Sequence, residues 1–198
     1  MSTYTKSIQA DLLSLQSVAA STVLISSDFD MSTKLGGMVL VRFGRRAATA
    51  AGAGVNIRVE ASHASSGDNS WYPLAILTTN FAAAQDEPVS GTVSAGTNVI
   101  TVAATTGFTA GDIVFIDNGT IANSEWGRVK SIVAATSITI EDNLVNAQTS
   151  SNIYDSAEIF APVVIPKEVT RIRVVADGSS FTQAFAVEAS LITTDSIA

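Results

Sequence analysis

GTVSAGTNVITVAATTGFTAGDIVFIDNGTIANSEWGRVKSIVAATSITIEDNLVNAQTSSNIYD, residues 91–155, reads as a β-domain complete in itself and set inside a longer chain. Turn residues punctuate it: G-T-N at 96–98, T-A-G-D at 109–112 and D-N-G-T at 117–120. Apolar runs of strand length lie between and beyond them, at 98–103, 112–117, 126–134 and 137–141. Short strands at regular spacing with Gly, Asn and Asp turns predict a small β-barrel or compact β-sheet module. Leu144 and Val145 are expected to pack under the last turn. The segment holds two basic side chains (Arg128, Lys130) and six acidic ones (Asp112, Asp117, Glu125, Glu141, Asp142, Asp155), so it carries −4 of the chain's −7.

The flanks also read as β. Upstream, residues 22–26, 38–43 and 71–78 are strand-like, and the clearest strand has Val55, Ile57, Val59 and Ala61 alternating with Asn56, Arg58 and Glu60. One face of such a strand is buried and the other is wet, as in an antiparallel sheet. Pro73 marks its strand as an edge or a bulged one. Downstream, residues 158–165 are broken at Pro162. Ile172 and Val174 alternate with Arg171 and Arg173 in the next strand, and Phe185, Val187, Ala189 and Leu191 face one way in the last. The turn D-G-S-S between these two strands predicts a hairpin. Four strands before the insertion and three after it suffice for a two-sheet sandwich.

The expectation is therefore an all-β protein: an antiparallel β-sandwich, jelly-roll-like or Ig-like, made discontinuously from residues 1–88 and 157–198, with 91–155 inserted. The downstream flank of about 40 residues is too short to fold alone without disulfides or metal. Residues 5–19 leave two readings open. Ile8, Leu12, Leu15 and Val18 have helical spacing, and an extended arm on a neighbouring subunit is the alternative.

Composition narrows the function. The chain has 198 residues, 46% of them hydrophobic, so it can bury a real core. Only 15% are charged, against roughly 25% in an average soluble protein; such a surface suits a protein packed against neighbours. A net charge of −7 without a basic tract disfavours nucleic acid. The one basic cluster, Arg42, Arg45 and Arg46, reads as a solvated strand end. There are no cysteines, which excludes disulfides, thiolate zinc sites and Cys nucleophiles. The opening MSTYTKSIQADLL has neither the basic start nor the apolar run of a signal peptide. No run is long enough for a membrane helix. Synthesis in a cytoplasm is expected, with no membrane partner.

The chemistry-bearing residues do not assemble into a site. His63 is the single histidine and sits in the polar loop SHASSGDNS, so zinc has no second imidazole. Ser62 or Ser65 with His63 and Asp68 is a formal triad, but the chain has no G-x-S-x-G elbow. Asp86–Glu87 and Glu141–Asp142 are paired carboxylates; neighbours on a strand point to opposite faces and do not converge. Asp117-Asn118-Gly119 starts like a calcium loop without completing its spacing, and a turn needing positive φ explains it better. Trp71, Tyr72 and Trp126 could stack sugars or bases, although core or interface packing is the commoner fate of strand aromatics. The expectation is no catalytic, cofactor-binding or metal-binding residue, no cofactor, and no enzyme activity.

The pattern G-T-x-V-I-T-V-A-x-x-T-G-F-x-x-G-D-I-V-x-I over residues 96–116, followed by W-G-R-V-K-S-I and S-I-T-I-E-D-N-L, resembles a small β-module of tailed-bacteriophage structural proteins. The flanks, with VRFGRR, VNIRVEAS and VTRIRVVADGSS, resemble in style the β-sandwiches of phage capsid decoration (cement) proteins and fibres. The resemblance implies a virion structural protein that binds the capsid surface and stabilises or decorates it. It further implies a homo-oligomer, a trimer first, with the major capsid protein as partner and the virion as location. A tail or fibre-type component is the alternative. A carbohydrate-binding module or glycan-degrading enzyme is the alternative of another class.

Overall fold

A computed structural model describes residues 4–47, 54–67, 70–78, 86–163 and 169–197. Its regular structure is antiparallel β, with one short 3-10 turn and no α-helix among the described residues. One sheet runs β1 (Tyr4–Val18), β16 (Phe185–Ile197), β4 (Gly36–Arg45), β14 (Asn152–Val163). The facing sheet runs β2 (Val23–Ile25), β15 (Arg171–Asp177), β5 (Asn56–Ser62), β6 (Trp71–Thr78), with β3 (Phe29–Asp30) also paired to β15.

The two sheets share one core because their strands keep period two. From the first come Val39, Val41 and Phe43 of β4 with Phe185, Val187, Ala189 and Leu191 of β16; from the second come Ile57, Val59 and Ala61 of β5 with Ile172, Val174 and Ala176 of β15. Phe43, Phe181 and Phe185 meet with ring centroids 5.5–6.1 Å apart. Burying one such side chain contributes roughly 1.5–3 kcal/mol. The alternate positions face out, as the pattern predicted. Arg58 and Arg173 both reach Glu60, at 3.0 and 2.9 Å, and the Arg171 and Arg173 guanidiniums lie over the Trp71 ring at 4.8 and 4.1 Å.

Three expectations on the flanks are corrected. Residues 5–19 are not helical; β1 is an extended strand of the chain's own sheet, paired with β16 from Tyr4↔Ile197 to Val18↔Phe185. Register shifts at Thr5/Lys6, Gln9/Leu13 and Leu13/Gln16 break its alternation. Adjacent Leu12 and Leu13 are both buried as a result, and bulges thus imitate helical spacing. Second, β15 and β16 are not a hairpin. The turn after Asp177 carries the chain from one sheet to the other, with Phe181 buried between them. Both strands turn their apolar sides to the one core, from opposite sheets. Third, Pro162 does not break its strand; it sits opposite Met38 within β14. Over Ser156–Val163 the strand partner of β14 among the described residues is β4, and a proline at an edge removes no ladder bond. Pro73 meets its expectation twice: β6 is an edge among the described residues, and the pairing with β5 skips Leu74.

The inserted segment extends the first sheet. Beyond β14 follow β10 (Ile113–Asp117), β11 (Glu125–Val133), β12 (Ser137–Ile140) and β9 (Val99–Thr101). They enclose a second apolar cluster that includes Ile100, Phe108, Val114, Ile116, Val129, Ile138, Ile140 and Ile153. Leu144 is buried in it, whereas Val145 is 78% exposed, contrary to expectation. The Glu125 carboxylate accepts the backbone N–H groups of Val145 and Asn146 and turns that segment outward. At its base, β7 (Asp86–Pro88) pairs with β14, β8 (Thr92–Val93) pairs with β13 (Gln148–Thr149), and the Val89 N–H donates to the Ser151 carbonyl at 2.8 Å. The stretch between residues 155 and 157, expected as a boundary, lies inside β14.

Candidate interaction face

The outer surface of the first sheet is organised in rows, because directly opposed residues of paired strands share a face. One row is Pro162–Met38–Ile192 and the next is Phe160–Leu40–Ser190. Phe160 is 54% exposed and Met38 37%, so both large apolar side chains reach solvent. A third row, Glu158–Arg42–Glu188, borders them with charge. Arg42 lies 3.5 Å from Glu158 and 3.8 Å from Glu188.

Past that row the sheet continues into the inserted segment, and a cleft of about 180 Å³ opens where Arg42 of β4 meets it. Its walls include Arg42, Ile113, Trp126, Arg128, Glu141 and Asp142. Glu158 also binds Arg128, so one carboxylate links the guanidiniums of β4 and β11. Arg128 further donates to the Gly111 carbonyl at 3.0 Å and lies 3.9 Å from Glu141. Trp126 packs on Phe115 with centroids 4.7 Å apart. It stands so close to Gly44 that a Cβ there would lie 2.9 Å from its ring.

The arginine cluster is not a solvated strand end. Arg42 is held in the ionic row, and Arg45 is fully buried, 3.6 Å from Asp155. Burial lowers the Arg45 pKa from its usual value, and Asp155 and Asp86 oppose that shift. Arg46 forms a two-pronged pair with Asp117, at 3.1 and 2.9 Å, and donates to the Gly119 carbonyl. The sequence displays the three cations together, but their carboxylate partners come from distant segments, which hides the pairing.

The other candidates fall as follows. His63 is exposed, its ring 6.4 Å from that of Tyr72. Ser62 is buried; its hydroxyl lies 2.6 Å from that of Ser70 and accepts the Ala64 N–H, so it clips a loop. Ser65 is exposed, and Asp68 lies outside the described residues. Asp117 receives donors from Gly119, Ser124 and Arg46, which engage its oxygens within the protein. Gly119 has φ +82°, as the turn reading required. Asp86 is exposed and Glu87 half-buried on β7. Glu141 and Asp142, however, do converge: they follow the end of β12 and both line the cleft. The rule of opposite faces holds within a strand and lapses in the turn beyond it. Trp71 and Tyr72 lie on the second sheet and Trp126 on the first, so the three form no single platform. Among the described residues, no three His, Asp or Glu side chains gather as metal ligands. No helix among them is long and apolar enough to cross a membrane.

No family model matches this chain, and no curated protein is detectably similar to it.

Proposed function

We propose that the chain is a structural protein of a tailed-bacteriophage virion. It docks on the capsid surface and stabilises or decorates it through protein–protein contacts. The major capsid protein and further copies of the chain, a trimer first, are its partners. The observation that carries this reading is the outer face of the first sheet, where exposed Phe160, Met38 and Pro162 adjoin an ionic border. An apolar centre rich in aromatics and Met, with a polar rim, is the usual anatomy of a protein interface, and a standard one buries roughly 1,600 Å² in total. The phage-like pattern of residues 96–116 and the low charge content support the same reading. On this reading the protein acts by adhesion and is not an enzyme. Its grouped carboxylates mostly hold arginines and turns rather than standing free to exchange protons.

The test is to locate the chain on purified particles of the phage that encodes it. Electron cryomicroscopy should place it on the outer capsid surface, and it should stay bound through washes in moderate salt and EDTA. Phe160→Asp should weaken rebinding to stripped capsids by about tenfold or more, as expected for a buried anchor. Absence from particles, or a location confined to the tail, would overturn the proposal.

A further inference from the structure

We infer that the cleft between β4, β11 and the turn after β12 is a binding subsite for one ring of a neutral sugar. Its size sets the first limit. About 180 Å³ is well below the roughly 300–1,000 Å³ of pockets for drug-sized ligands, so it takes a single small ring rather than a peptide. Its chemistry sets the second. Trp126 and Ile113 provide apolar wall, against which the C–H face of a pyranose can pack. Arg42 and Arg128 bring only donors, and Glu141 and Asp142 only acceptors. A sugar hydroxyl is both donor and acceptor, so vicinal hydroxyls can use both kinds of group at once.

Charge sets the third limit. The two guanidiniums are already paired with carboxylates: Glu158 links them from the sheet, Glu188 lies 3.8 Å from Arg42 and Glu141 3.9 Å from Arg128. An anion would meet the carboxylates and a cation the guanidiniums, and each would lose its own hydration on entry. A neutral polyol loses least. The Arg128 guanidinium is also held in place before a ligand arrives, by Glu158 and the Gly111 carbonyl. That preorganisation lowers the cost of binding. Glu141 is 54% exposed at its side chain, so the cleft is open on the acceptor side.

The experiment is a titration of isotope-labelled full-length protein, followed through the Trp126 indole N–H and the amides of residues 126–128 and 141–142. Glucose, galactose, mannose, rhamnose and N-acetylglucosamine are the probes. Inorganic phosphate, calcium and glycine test for an anion, a cation and a zwitterion. At least one sugar should give saturable shifts with a Kd on the order of 1–10 mM, the scale open to a single ring with few atoms. Glu141→Ala and Asp142→Ala remove turn side chains at the cleft mouth; each should weaken that binding about tenfold while the rest of the spectrum is unchanged. Asn143→Ala, in the separate groove beside Thr97 and Val99, should leave it unaltered. The inference is overturned if no sugar saturates, if phosphate, calcium or glycine binds more tightly, or if both alanine variants bind as the parent does.

Discussion

Asp177 ends β15, and Ser179 holds its carboxylate through the side chain and through the backbone N–H at 3.1 Å. Those bonds, with a smaller contribution from Arg58, lower its pKa below the ordinary 3.8. A depressed carboxylate stabilises the fold above its unfolded pKa, and the contribution disappears as pH falls through the folded value. Asp177→Asn should therefore cost up to about 1 kcal/mol near pH 7, the scale of a partly exposed ionic contact. The gap from the parent should close as pH falls below about 4. Denaturant unfolding at several pH values reads this directly; a pH-independent gap would mean that charge is not the source. Asp30 is lowered in the same manner by Ser32. Such local carboxylate–turn pairs can be read from D-x-S in the sequence, because donor and acceptor lie two residues apart. The Arg46–Asp117 pair cannot be read so, since only the folded sheet brings β4 to the D-N-G-T turn.

Among the elements, β4 meets the inserted segment at Gly44, where a Cβ would lie 2.7 Å from Phe115 and 2.9 Å from the Trp126 ring. Glycine is needed there for close approach rather than for a special backbone angle. Gly44→Ala forces Phe115 to move, and overpacking of this kind costs about 1–3 kcal/mol. The shift in denaturant midpoint should show it, and a shift equivalent to under about 0.5 kcal/mol would mean that β10 gives way freely. The same strand shows what a sequence can disclose. β4, β5, β15 and β16 were legible because apolar side chains recur at every second position toward the core, and β10 because it is a short apolar run between two turns. β1 was not, because three register shifts scramble its faces. The D-G-S-S turn announced a reversal after β15, but turn chemistry does not say whether the next strand joins the same sheet. Of the candidate face, the ends were visible as Trp126 and the arginines. The rows Glu158–Arg42–Glu188 and Phe160–Leu40–Ser190 were not, since each unites three strands remote in sequence.

For the molecule as a whole, the core falls into two apolar clusters: one draws on residues 12–61 and 169–191, the other on 89–153. We propose that the sandwich folds without the insertion. Pro88 lies opposite Asn152, and Val89 bonds to Ser151. Replacing residues 90–150 by Asn-Gly should thus close β7 and β14 into a hairpin with a favoured two-residue turn. The shortened chain should unfold in one cooperative transition at lower stability than the parent, since Arg46 loses Asp117 and Gly44 loses its cover. A broad, non-cooperative melt would instead make the insertion part of the sandwich's own core. The paired base, β8 against β13 beneath the Val89–Ser151 bond, has a further effect on how the chain searches for its fold. Holding the two ends of a floppy stretch of about 60 residues together costs roughly 3–4 kcal/mol of closure entropy on the logarithmic law. If the insertion folds first, its own strands meet that cost, and β7 and β14 are delivered to the sandwich as near neighbours. Pairings that look distant along the sequence become short-range ones, and short-range pairings form fast. In kinetic terms the insertion is a clasp that shortens the chain around it.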